Sequence, residues 1–225
     1  MTSVMPRVLE PEVMEGVAEA EEYDAMDFSE ADGRFADAAI ALLGERTMGR
    51  ILDVGTGTAK IPLLMLKRRP ELSFVAVDAS DGMLHVALRN IIAAGFVDQF
   101  TLAPMDAKAL PVSDGLFDMV LCNSVVHHVP DPSTIFGEIA RVARPGGAVL
   151  VRDLIRPPTQ ADAWAIVDRV AAGDSPRQRQ LFFDSLCAAL TLDEVRAFAR
   201  GAGLTDVTVE QVSDRHWSVA RPLRG

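Results

Sequence analysis

The sequence predicts an α/β fold: a doubly wound, mostly parallel sheet with helices on both faces. Three observations carry that expectation. Short apolar runs at 51–54, 73–78, 100–103, 119–122 and 148–151 alternate with stretches of helical periodicity. These runs are predominantly apolar, without strict alternation, as strands covered on both faces are. The first of them ends in Asp53-Val54-Gly55-Thr56-Gly57, a glycine loop that leads straight into a helix.

Taken in order, residues 1–35 are acidic, with Tyr23 and Phe28 as an aromatic island. They read either as a surface-packed helix or as a cap whose flat rings lie over a ligand mouth. Phe35, Ala38, Ala39, Leu42 and Leu43 predict a helix over 34–43, set off from the first strand by Gly44 and Gly49. The helix after the glycine loop runs toward Lys67-Arg68-Arg69-Pro70. Pro62 falls in its first turn, where N–H groups have no intrahelical acceptor to lose.

Ser80 is placed as an N-cap, with Met83, Leu84, Ala87, Leu88 and Ile91 as the apolar face of a helix stopped at Gly95. Ile135, Phe136, Ile139 and Val142 mark the next helix, which Pro145-Gly146-Gly147 should end before the fifth strand. Residues 159–200 then form a helical insertion expected to cover the site. One helix carries Ala163, Trp164, Ile166, Val167 and Val170. A second opens at Ser175-Pro176 and carries Leu181, Phe182, Phe183, Leu186 and Leu190. A third opens at Thr191 with Glu194 in capping-box spacing and ends at Gly201 or Gly203. The runs 207–212 and 216–220, separated by Ser213-Asp214-Arg215, read as a hairpin.

The chemistry sits where strands end. Glycines at 55 and 57 let backbone amides approach a ligand, and the following helix N-terminus adds donors. Asp53 would repel a pyrophosphate, and the third glycine of a dinucleotide loop is missing, which disfavours an NAD-dependent oxidoreductase. A cationic ligand suits the same acid. Asp78, about 20 residues on, can accept both hydroxyls of a ribose or cap the next turn. Asp106 by itself reads equally as a turn residue. The loop after the fourth strand, beginning at Asn123, adjoins the first strand and so faces the reacting group.

His127 and His128 in that loop offer one histidine packed under a ligand and one general base, with no preference between them. A metal would need a third ligand, and Ser124 stands where a carboxylate would help, so no metal is expected. Beyond the fifth strand, Asp153 could take a proton while Arg152 or Arg156 holds a substrate anion; a surface ion pair fits equally. Phe182 and Phe183 could wall an apolar substrate pocket or belong to the core.

On the Asp53 to Gly57 loop, the Asp78-Ala79-Ser80-Asp81-Gly82-Met83 segment and the aspartate at 106, the chain resembles class I S-adenosylmethionine-dependent methyltransferases. Phe117-Asp118-x-Val120, His127-His128-Val129-x-Asp131-Pro132 and Arg144-Pro145-Gly146-Gly147 narrow the resemblance to the ubiquinone/menaquinone-biosynthesis-like methyltransferases. It covers about residues 48–156 by motif. It implies a Rossmann-like, seven-stranded sheet with an antiparallel last strand and a helical cap. It also implies S-adenosyl-L-methionine as cofactor and S-adenosyl-L-homocysteine as product. Asp53, Gly55, Thr56 and Gly57 would then hold the methionine end, Asp78 and Ala79 the ribose, Met83 the adenine face, and Asp106 with Ala107 the adenine edge, with Asn123 beside the methyl. A tyrosine segment near the cofactor in such enzymes implies a substrate-side role for Tyr23 and Phe28.

The division expected is a cap at 1–35, a cofactor-binding core at 36–156, a lid at 157–203 and a hairpin at 204–225 that completes the sheet. A formal net charge of −10 argues against nucleic acid as a partner. No apolar run is long enough to span a membrane, and no secretory leader pattern opens the chain, so a cytoplasmic monomer or homodimer is expected. Cys122 and Cys187 lack metal-ligand spacing and read as reduced, buried thiols. The expected activity is methyl transfer to a small-molecule acceptor. A protein or RNA methyltransferase, or a cofactor-binding protein without transfer, are the alternatives.

Overall fold

The computed structural model describes residues 5–10 and 16–224. Seven strands form one sheet, β1 (Gly49–Val54), β2 (Leu72–Asp78), β3 (Phe100–Pro104), β4 (Phe117–Asn123), β5 (Ala143–Leu154), β6 (Thr208–Gln211) and β7 (His216–Arg221), ordered β3-β2-β1-β4-β5-β7-β6. All neighbours from β3 to β5 are parallel, and β7 runs antiparallel to β5 and β6. The strand order reverses between β1 and β4, which places the carboxyl ends of β1, β2 and β4 around one crevice. The expected seven-stranded Rossmann-like sheet is present, and its antiparallel strand is the last.

Among the described residues eight α-helices flank it: α1 (Val17–Asp24), α2 (Ser29–Leu43), α3 (Lys60–Leu66), α4 (Asp81–Ala94), α5 (Pro132–Val142), α6 (Gln160–Val170), α7 (Pro176–Ala188) and α8 (Leu192–Gly201). Ser80 caps α4 by accepting the Met83 N–H at 3.2 Å, and Gly95 ends it in the left-handed conformation. Ser175 and Thr191 cap α7 and α8 through boxes with Gln178 and Glu194, each satisfying an N-terminal amide that a helix leaves open. Helix α2 starts five residues before the expected position, because Phe28 and Ser29 already turn into it.

The sheet is buried on both faces. One cluster places Phe136 between Phe198 and Trp217, ring centroids 6.1 and 6.4 Å away, each aromatic pair contributing about 0.5–1.5 kcal/mol beyond its area. The opposite cluster is built from Phe35, Met65, Phe74 and Met119. None of the helices among the described residues is long and apolar enough to cross a membrane. Cys122 and Cys187 are both free and buried.

Three expectations need correction. Pro145-Gly146-Gly147 does not end α5, which stops at Val142; it lies inside β5, where the register jumps from Phe117↔Ala143 to Met119↔Ala148. Gly146 at φ 73° and the close approach of Gly147 to the Arg144 and Phe117 carbonyls allow that bulge. Strand β5 also continues through Arg152 and Asp153 to Leu154, paired with β7, so these charges are inside the sheet and not beyond it. Finally, α8 is no part of a lid: Val195 and Ala199 enter the main core, and the helix packs on α5 and β6. Helices α6 and α7 pack around a small core of their own with Leu154.

Candidate functional site

At the crevice the glycine loop turns by way of Gly55 (φ 70°) and Gly57 (φ 54°). The Gly55 and Thr56 N–H groups donate to the Val77 carbonyl at 2.8 and 2.9 Å, which fastens the loop to the end of β2. A Cβ on Gly55 would meet Val125 Cγ2 at 2.2 Å, so the β4 loop packs directly on this glycine. The Asp78 carboxylate accepts the Gly57 N–H with one oxygen and the Ser80 N–H with the other, both at 2.9 Å.

These loops enclose a cavity of about 160 Å³. From β1 and β2 it is lined by Gly55, Gly57, Asp78, Ala79, Ser80 and Met83. The β3 loop gives Met105, Asp106, Ala107 and Lys108, and the β4 loop gives Asn123, Ser124, Val125, His128 and Val129. Tyr23 of α1 closes one side, its ring 5.3 Å from that of Phe28.

Burial, with the nearby charges of Asp32 and Asp78, pushes the Tyr23 hydroxyl up to about 12. Asp53 and Thr56 lie beneath the loop, 3% and 8% exposed, and do not line the cavity. Burial, and after it the charges of Asp78 and Asp32, raises the Asp53 carboxyl to about 7. Burial likewise raises Asp78, against the amides it accepts. Asp106 accepts the Lys108 N–H at 2.9 Å and pairs with the Lys108 ammonium at 3.2 Å.

The remaining sequence-predicted residues are placed elsewhere. Arg156 is buried and donates to the Ala189 carbonyl (2.9 Å) and Glu194 (2.7 Å), tying the segment after β5 to α8. Phe183 stacks on Trp164 at 4.4 Å, and Phe182 belongs to the same α6–α7 core. Arg152 lies 5.2 Å over the Phe35 ring. None of these four lines the cavity. Phe28 reaches the site only through Tyr23.

Asp153 and His127 form a pair under the cavity. Asp153 is 1% exposed; one oxygen lies 2.6 Å from His127 Nδ1 and the other accepts the His127 backbone N–H at 3.0 Å. Burial opposes both charges, but each outweighs it for the other, holding Asp153 below the usual carboxylate range and raising His127. An ionised Asp153 only accepts, so His127 carries its proton on Nδ1. The expectation that no third metal ligand stands near the histidines is also corrected. Glu10 Oε1 lies 3.3 Å from His127 Nε2 and 3.2 Å from His128 Nδ1. Sequence reading missed Glu10, which comes from the far N-terminal side of the chain, and Met105, Val125 and Val129, which look like ordinary apolar residues.

The donor set around the cavity suits a nucleoside bearing a positive charge. Two carboxylates face in, the apolar side chains of Met83, Met105, Val125 and Val129 offer a slot for a base, and the one lysine is paired with Asp106. A pyrophosphate would meet the two carboxylates there.

A family model described as a methyltransferase domain matches residues 52–151. A demethylmenaquinone methyltransferase of Roseiflexus castenholzii is 30% identical, over 80% of this chain and 78% of its own. A 27-O-demethylrifamycin SV methyltransferase of Amycolatopsis mediterranei is 28% identical over 84% of this chain, which spans 66% of that relative's length. Among solved structures, a SAM-dependent methyltransferase of Aquifex aeolicus superposes with a TM-score of 0.64 at 17% identity, covering 93% of this chain and 99% of that one. Strand-end acids, glycine loop, sheet order and relatives agree: the chain belongs to the class I S-adenosylmethionine-dependent methyltransferases.

Proposed function

We propose that the protein transfers the methyl group of S-adenosylmethionine to a small-molecule acceptor by in-line attack on the sulfonium, releasing S-adenosylhomocysteine. The observation that carries this reading is that Asp78, Asp106 and Asn123, from three strand ends, line one cavity. In it Gly55 and Gly57 offer their backbone to the methionine end, with the Asp53 charge beneath them. Asp78 accepts from the ribose hydroxyls, Met83 lies against the adenine, and Asp106 with Ala107 meets its edge. Ala79 and Ser80 complete the ribose side, and Tyr23 covers it.

The sulfonium is already activated, so alignment of acceptor and methyl supplies much of the rate and no dedicated base is required. His127 and Asp153, buried under the site, hold the β4 loop in place and take no part in proton transfer. The acidic chain supports a small, uncharged or cationic acceptor over a polyanion. Incubating the enzyme with metabolite extracts and isotopically labelled S-adenosylmethionine tests this by mass spectrometry. Label gained by one small compound is the expected result; label appearing only in protein or RNA overturns the acceptor class.

A further inference from the structure

We propose that Glu10, His127 and His128 form a zinc site at the floor of the cofactor cavity. The three donor atoms, Glu10 Oε1, His127 Nε2 and His128 Nδ1, all lie within 4.8 Å of one another. The two separations from Oε1, 3.3 and 3.2 Å, match the edge of a tetrahedron around a zinc ion with ligands at about 2.0–2.1 Å, which is about 3.3 Å.

Second, Glu10 Oε1 is buried and accepts no hydrogen bond, on a side chain only 8% exposed. A carboxylate oxygen in that position needs a cation, and it faces two ring nitrogens. His127 spends its Nδ1 proton on Asp153, so its Nε2 presents a lone pair toward Glu10. Either a proton or a metal ion can lie between the two atoms, and a metal ion there would also take His128 Nδ1, 3.2 Å from the same oxygen.

Third, the surroundings have the arrangement by which proteins fix metal ligands. The histidine ligand donates its other N–H to a carboxylate, Asp153, which sets its tautomer and ring orientation. The carboxylate ligand is itself held, Glu10 Oε2 accepting from Ser185 Oγ at 3.1 Å. The backbone carrying both histidines is pinned by Arg7, whose guanidinium donates to the carbonyls of His127 (3.0 Å) and Val129 (2.9 Å). Two imidazoles and one carboxylate select a zinc-class ion over magnesium or calcium, which favour oxygen donors. Three protein ligands leave a fourth position, and His128 lines the cavity, so the ion adjoins the methyl-transfer site.

The test uses the untagged full-length chain, stripped with a chelator and titrated with zinc chloride by calorimetry, and with cobalt(II) by visible absorption. One equivalent per chain, with the absorption bands of tetrahedral cobalt, is the expected result. Glu10→Gln and His128→Ala should each weaken zinc at least about 10-fold. Glu10→Gln should do so with an unchanged circular dichroism spectrum and unchanged S-adenosylmethionine affinity in the chelated protein. Cys187→Ala should bind zinc as the wild type does. Absence of stoichiometric uptake, equal uptake by Glu10→Gln and wild type, or loss of uptake in Cys187→Ala overturns the site and leaves a buried ion pair.

Discussion

The Asp78 carboxylate bridges two loops, accepting the Gly57 N–H with one oxygen and the Ser80 N–H with the other at 2.9 Å each. It thereby sets the separation between the glycine loop and the start of α4 while lining the cavity. Hydrogen bonds to a charged acceptor contribute about 1.5–3 kcal/mol. Asp78→Asn should therefore weaken S-adenosylmethionine binding about 10- to 100-fold by calorimetry. Unchanged affinity would reject the ribose assignment.

Asp53 predicts a pH dependence. Its folded-state carboxyl titrates at about 7, raised from 3.8, so between those values the unfolded chain is ionised while the folded one still holds its proton. Its contribution to stability is present below the unfolded value and is lost as pH rises toward 7. Compared with Asp53→Asn, the wild type should gain relative stability in urea denaturation as pH falls from 7 toward 4. A cationic cofactor favours the ionised form, so affinity should rise with pH through about 7 in the wild type and stay flat in Asp53→Asn.

Gly82 seats the N-terminal helix. A Cβ there would lie 2.6 Å from the Gly16 carbonyl oxygen and 3.1 Å from the Val17 nitrogen, backbone atoms at the entry to α1. Gly82→Ala should destabilise the fold by about 1–3 kcal/mol and loosen Tyr23 from the cavity, lowering cofactor affinity. Gly33, in α2, has open space around its Cβ position; Gly33→Ala should stabilise by up to about 1 kcal/mol. Thermal melts of the two variants should move in opposite senses, and cofactor titrations should weaken for Gly82→Ala and stay unchanged for Gly33→Ala.

Arg156 separates a structural from a substrate-binding role. Its side chain is 6% exposed and is spent on the Ala189 carbonyl and Glu194. Arg156→Met should cost about 1–3 kcal/mol of stability in denaturant titrations, with KM for the acceptor unchanged. A rise in KM without loss of stability would return Arg156 to the substrate.

What the sequence revealed was local. An acid or a glycine at the end of an apolar run, a Ser before a Pro, or a Thr three residues before a Glu is decided by neighbours in the chain, so the crevice acids and the α7 and α8 caps were legible. The misreadings came from partners remote in sequence. Arg152 and Asp153 looked like a strand exit because two charges in a row rarely continue inside a sheet; His127 and the Phe35 ring accommodate them. Phe182 and Phe183 fitted a pocket wall or the core equally well in sequence, and the fold brings Trp164 against Phe183 and Phe182 into the α6–α7 core. Glu10 carries no pattern at all until the chain returns it to the histidines.

The placement of β1 beside β4 bears on the order of assembly. Strand β4, which supplies Asn123 and Val125, pairs with β1 across the whole intervening stretch of β2, β3 and their helices, so the crevice exists only when both halves of the sheet are in place. A half-built sheet therefore has no place to hold the nucleoside. Cofactor present during refolding should leave the rate of formation untouched, acting afterwards as a latch that slows escape from the completed state.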